Sequence, residues 1–111
     1  MRYILNSAVI TAQGLYEYRL LTIEEAKEWL AKGPVISTIG YPETAEAFRR
    51  LFGIEVPVNR VAIKMAPGDE ALVFRLAFKP GDPRPDAALK GHLGVDWLLE
   101  RVEIGLLRRL A

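Results

Sequence analysis

Residues 35–53, VISTIGYPETAEAFRRLFG, hold the groups best placed to meet an anion. A short apolar run (Val35, Ile36, Ile39) ends at Gly40, Pro42 stands where a first helical residue would, and Thr44 follows. Proline suits that position because its missing N–H would be unpaired there anyway. The open amides and positive dipole end of such a helix draw phosphate or carboxylate. The plain alternative is a strand-to-helix turn that binds nothing, as most such turns do. A second feature is a group of four cations on residues 58–65 and 70–79, in which residues 58–65 and 70–78 read as two strands joined by the turn Ala66-Pro67-Gly68-Asp69. Val61, Ile63 and Met65 alternate with Arg60, Ala62 and Lys64, and Leu72, Phe74, Leu76 and Phe78 alternate with Val73, Arg75, Ala77 and Lys79. Opposed residues of a hairpin share a face, so the register that joins the apolar sets also gathers Arg60, Lys64, Arg75 and Lys79. Such a face can hold phosphates, or it can be the solvated outside of a sheet.

The elements that must position these groups follow in order. Residues 2–10 are rich in strand formers, interrupted by Asn6-Ser7, and Gln13-Gly14 reads as a turn into a second strand over residues 15–21, its hairpin partner. Thr22 with Glu25 is a capping-box signature that opens a helix through Ala26, Trp29 and Leu30, which Gly33-Pro34 stops. In the central helix Ala45, Phe48, Leu51 and Phe52 recur at helical spacing before Gly53. Residues 79–85 carry three prolines and read as a loop, of the kind that often bears function on a rigid sheet. Residues 86–89 could start a brief helix, residues 95–102 read as helix, and residues 103–110 read as a last strand or a continued helix, with Gly105 against the helix. The order predicts one α/β (α+β) domain over residues 1–111, a mixed or antiparallel sheet with helices packed on it.

Composition narrows the chemistry. The 111 residues are half hydrophobic and 26% charged, and 15 basic residues balance 14 acidic ones, so an anion site must come from local clustering. The absence of cysteine rules out disulfides, thiolate metal sites and Cys nucleophiles. His92 is the single histidine, which argues against a His-based metal site. No signal-peptide core or membrane-length apolar run is present, which makes the expected location cytoplasmic with no membrane partner.

Several stretches together resemble a known family. LNSAV (residues 5–9), the SxIG turn followed by TAEAF (residues 37–40 and 44–48), LFGIEVPVNRVAIKM (residues 51–65) and GDEALVFRL (residues 68–76) are similar, in order and spacing, to the viral ring-nuclease anti-CRISPR family. The resemblance covers roughly the first 80 residues. It implies a homodimer that binds cyclic tetra-adenylate, the second messenger of type III CRISPR defence, and cuts it to linear di-adenylate with 2′,3′-cyclic phosphate ends. That chemistry needs no metal and no cofactor, because each 2′-hydroxyl of the ring can attack its neighbouring phosphorus in line. A protein accelerates it by fixing that geometry, stabilising the crowded charge and protonating the leaving 5′ oxygen. A two-fold dimer suits a ligand of four equivalent nucleotides.

Carried onto this chain, the family's cation falls on Arg60, its helix-start hydroxyl on Thr44 beside Gly40, and its N-terminal polar contacts near Asn6 and Ser7. A basic–acidic pair in the loop after the second hairpin strand falls on Lys79 and Asp82. The family's catalytic histidine follows the IG glycine, and here that position is Tyr41. Histidine titrates near 6.5 and tyrosine near 10, so Tyr41 is a poorer proton donor and acceptor at neutral pH, though its hydroxyl can hydrogen-bond the leaving oxygen and its ring can stack on adenine. The expected catalytic set is therefore Tyr41, Arg60, Lys79 and Asp82, with Asn6, Ser7, Gly40, Thr44, Arg60, Lys64 and Arg75 holding the ligand. His92 is an alternative acid. Glu43 and Glu46 suit a first helical turn on dipole grounds alone. Three functions stay open: a ring nuclease, a binder that sequesters or senses the messenger, and a nucleic-acid or protein interaction module using the cationic face. No stable DNA binding is expected from the first two.

Overall fold

The computed structural model describes residues 1–6, 12–59, 61–77, 80–81 and 94–111, with backbone alone for residues 94–96. In its sheet, β1 (Arg2–Leu5) is flanked in parallel by β3 (Ile36–Ser37) and by β4 (Glu70–Leu76), the middle strand. Beyond β4 the sheet turns antiparallel through β5 (Val102–Arg109) to β2 (Tyr16–Leu20), giving the order β2-β5-β4-β1-β3. Among the described residues the helices are α1 (Ile23–Leu30), α2 (Pro42–Phe52) and α3 (Gly94–Leu99).

Strand alternation sorts the core into two layers. Ile4, Leu72, Phe74, Ile104 and Leu106 face Ala26, Trp29 and Leu30 of α1 and Ala47, Phe48 and Phe52 of α2. Phe48 stacks against Phe52 and Phe74 with ring centroids 4.7 and 5.3 Å away, and is fully buried. On the other face Tyr3, Leu5, Ala71, Val73 and Leu107 pack with Met65, and with the half-buried Ile63. The arrangement is therefore helices, sheet, and an extended strap over residues 61–65. Arg2 joins the first two layers: its guanidinium stacks 3.9 Å over the Trp29 ring and donates to the carbonyls of Trp29 and Gly33, capping the end of α1.

Two expected hairpins are corrected. Residues 15–21 do contain a strand, but β2 pairs with β5 and lies three strands from β1. Residues 58–65 do not pair alongside β4, whose two edges are taken by β1 and β5. The turn between them is real: Asp69 N–H donates to Ala66 O at 3.0 Å, and Gly68 has φ 92°, a left-handed value that favours glycine. It lifts the chain off the open face and into the sheet instead of reversing it within one plane. Burial holds the Asp69 carboxyl up, but the Met1 ammonium at 2.9 Å and the Ala66 amide outweigh it and keep the group below its ordinary pKa.

The last segment settles as a helix ending at Leu99 and a strand from Val102. Gly105 explains why: the Tyr18 ring lies across it, and a Cβ there would sit 2.3 Å from the Tyr18 hydroxyl oxygen. Among the described residues, no helix is long and apolar enough to cross a membrane.

Candidate functional site

The parallel strands β1, β3 and β4 all point their C-terminal ends the same way, and α2 starts immediately beyond β3. In open sheets with parallel strands, ligands gather at that end. Thr38 fastens the turn to β1, its N–H and Oγ1 both donating to Ile4 O at 2.9 Å. Asn59 fastens it from the other side, its N–H donating to Ile39 O at 2.8 Å and Nδ2 to Ser37 O at 3.0 Å. Ser37 Oγ donates to Pro57 O at 2.9 Å and accepts from Ile39 N at 3.3 Å. The turn that leads into α2 is thus gripped by buried polar groups on both flanks, which fixes where the helix begins.

Tyr41 is the N-cap of α2, in extended backbone, and Pro42 follows at the first helical position. The Tyr41 carbonyl accepts the Ala45 amide at 3.1 Å, but among the described residues no side chain caps the first turn. Tyr41 and Gly40 are half-buried, and Gly40 has no left-handed backbone. Thr44 lies one turn in, 1% exposed, and its Oγ1 has no hydrogen-bond partner among the described residues. A buried hydroxyl in that state costs about 1–3 kcal/mol against a satisfied one. At the far end Gly53, with φ 69°, closes α2 in the left-handed conformation, its N–H bonded to Arg49 O at 2.7 Å.

Of the residues expected from sequence, Gly40, Tyr41 and Thr44 meet at this helix start, and Asn6 follows β1 at the same end of the sheet. Ser7, Arg60, Lys79, Asp82 and His92 lie outside the described residues. The shared cationic face is a correction: without the hairpin the register that gathered it does not exist. Lys64 is exposed on the strap, between Ile63 and Met65, which pack inward. Arg75 stands on the helix-free face of β4, 3.3 Å from the Glu103 carboxylate and partly neutralised by it. Burial pushes the neighbouring Tyr18 hydroxyl above its ordinary pKa, with Glu103 adding and Arg75 opposing. Glu46 is spoken for by Arg49 and Arg50, and its hydrogen bond with Arg49 holds its carboxyl below the ordinary value. Sequence reading passed over Ser37, Thr38 and Asn59; the signal was present in the SxIG turn and in the asparagine beside Arg60.

Comparison with known proteins follows the same stretch. The family described as STIV B116-like matches residues 2–84. Uncharacterized protein 26 of Sulfolobus islandicus filamentous virus is 42% identical over 76 residues, 65% of this chain and 64% of its own length. The chain therefore spans just under two thirds of that relative. Protein YddF of Bacillus subtilis is 35% identical over 74 residues, covering 65% of this chain and 68% of its own. The fold matches B116 of Sulfolobus turreted icosahedral virus with a TM-score of 0.69 at 20% identity, over 97% of this chain and 98% of that one.

Proposed function

The chain belongs to the STIV B116-like family, and on that premise we propose that two copies of it enclose cyclic tetra-adenylate and cleave it without a metal to linear di-adenylate. The observation that carries this reading is the start of α2, at the end of parallel strands, where among the described residues the first turn has no side-chain cap and the buried Thr44 hydroxyl no partner. Its amides and dipole attract a phosphate, and Thr44 Oγ1 can donate to a non-bridging oxygen. Asn6, at the neighbouring strand end, can hydrogen-bond the ribose or base. Arg60 follows Asn59, whose backbone is tied to the turn, and supplies the cation. Lys79 and Asp82 complete the family's basic–acidic pair.

In the reaction the ribose 2′ oxygen forms a bond to the adjacent phosphorus while the P–O5′ bond breaks. The 2′-hydroxyl loses its proton and the departing 5′ oxygen gains one, leaving a 2′,3′-cyclic phosphate and a 5′-hydroxyl. Tyr41 hydrogen-bonds the leaving oxygen, and the helix amides and Arg60 stabilise the charge on phosphorus. The tyrosine favours a second reading, in which the ligand is held and not cut, because a phenol is a poorer proton donor than the imidazolium that the family's histidine supplies.

Labelled cyclic tetra-adenylate incubated with excess protein separates the two. Conversion to di-adenylate supports cleavage; intact ligand retained by the protein supports sequestration. No binding at micromolar concentration, with salt-dependent DNA binding in its place, overturns both and favours an interaction module. Tyr41→His should raise turnover, and flat turnover would move the acid elsewhere.

A further inference from the structure

Arg109 spends its guanidinium on backbone carbonyls. Nη2 donates to Gln13 O at 2.9 Å, Nη1 to Met65 O, and Nε to Ala111 O at 3.3 Å. The Tyr16 ring centroid lies 6.0 Å from the guanidinium carbon. The backbone of the same residue is tied as well: its N–H donates to Asp69 O at 3.1 Å, and its carbonyl accepts Gly68 N–H at 2.8 Å. A planar fork of donors suits this task, because it can bridge carbonyls of separate segments at once. Gly14 shows how closely the segments are drawn in. A Cβ there would stand 2.8 Å from Arg109 Nε and 2.5 Å from Ala111 O.

The segments held at Gln13 and Met65 both come from the start of α2. Arg109 ends β5 beside the beginning of β4, at the end of the sheet away from that helix start. Met65 closes the strap that follows Asn59, and Asn59 in turn holds the Ser37 and Ile39 carbonyls. From Asn59 to Met65 the chain can reach at most about 20 Å. Val61 N–H donates to Asn59 O at 2.9 Å, which shortens that reach. A segment so short, fixed at both ends, has few conformations to move through. Gln13 closes the other segment, which leaves β1 at Asn6. We propose that Arg109 is a positioning residue for the start of α2, clasping at the far end of the sheet the two segments whose near ends are Asn6 and Asn59. Its consequence for nucleotide binding rests on the reading proposed above; the clasp itself does not.

Amide exchange and nucleotide titration on the full chain test it. Arg109→Lys keeps the charge and loses the fork. Gly14→Ala leaves Arg109 in place and crowds it from the other segment. In both variants, shown to be folded by their melting curves, the Asn59 amide should exchange at least about tenfold faster. The Thr38 amide, bonded to Ile4 O on the β1 side of the same turn, should keep its rate within about twofold. An unchanged Asn59 rate in both variants would overturn the proposal. So would equal acceleration at Asn59 and Thr38, which is what a general loss of stability gives. If Arg109→Lys does not fold, Gly14→Ala decides alone. Affinity for cyclic tetra-adenylate should fall by about tenfold in the variants, the loss expected when a contact is misplaced. Where the unaltered protein binds, undiminished affinity in both variants also overturns the proposal. An unaltered protein that does not bind the ring defeats the nucleotide reading instead, and the exchange rates still decide the clasp.

Discussion

The two longer helices start on different chemistry. At α1, Thr22 Oγ1 accepts the Glu25 amide at 3.1 Å and the Glu25 carboxylate accepts the Thr22 amide at 3.0 Å, so the first turn is closed on itself. At α2, Tyr41 and Thr44 occupy the corresponding positions; among the described residues no side chain caps the turn, and the Thr44 hydroxyl is buried without a partner. The first arrangement spends its polar groups on stability. The second keeps them available, and the strong packing of Phe48 and Phe52 beneath it supplies what the missing cap does not. A helix start held firmly by its far face and left open at its tip is what an anion site requires.

That contrast can be broken in four ways. Phe48→Ala should have the largest effect, about 3–5 kcal/mol of stability in denaturant unfolding, because it empties the centre of the aromatic cluster. A smaller loss would mean that α2 is held mainly by its ends. Thr44→Val comes next, and its sign is the informative part. Removing an unsatisfied buried hydroxyl at nearly constant volume should leave the protein equal or up to about 1 kcal/mol more stable while weakening the nucleotide binding proposed for this site. A destabilised variant would show that the hydroxyl already has a partner. Capping should then behave oppositely at the two helices: Thr22→Ala should cost about 1 kcal/mol with binding untouched, whereas Tyr41→Ser should add a comparable amount and weaken binding, by supplying an internal acceptor. Calorimetric melts with parallel titrations read both.

The smallest effect is one of pH. The Glu25 carboxyl is held below its ordinary value chiefly by the backbone hydrogen bond from Thr22, with Arg19 assisting. A depressed folded pKa means that the unfolded chain binds more protons in that window, so this contribution is complete above the ordinary glutamate value and fades as pH falls through the folded one. The melting difference between the unaltered protein and Glu25→Gln should therefore shrink from about pH 6 to about pH 3. A difference that stays constant would detach the carboxylate from the cap.

Both helix starts were legible because their signals are local: Thr22 and Glu25 lie three residues apart, and Pro42 acts on its own turn. Sheet pairing was not, because β4 takes its partners from either end of the chain and residues 58–65 leave the plane of the sheet. Of the alternating set Val61, Ile63 and Met65, the last two do pack inward while Val61 is exposed; periodicity reports which side chains can be buried and not what buries them. The same limit governs the site. Gly40, Tyr41 and Thr44 were recoverable from one continuous stretch, with Asn6 added by topology. The four-cation face depended on a pairing that does not exist, and Arg75 found Glu103 instead. Asn59 was overlooked because its partners, Ser37 and Ile39, are some twenty residues earlier in the chain.

Asn59 also joins parts that face away from each other. The strap grips the back of the sheet through Met65, and only a few residues upstream the same run of chain holds the carbonyls that aim α2. A lever pivoting on this amide would carry a push on one to the other. Occupancy at the helix start should thus be readable from behind the sheet, in the chemical shifts of Ile63 and Met65.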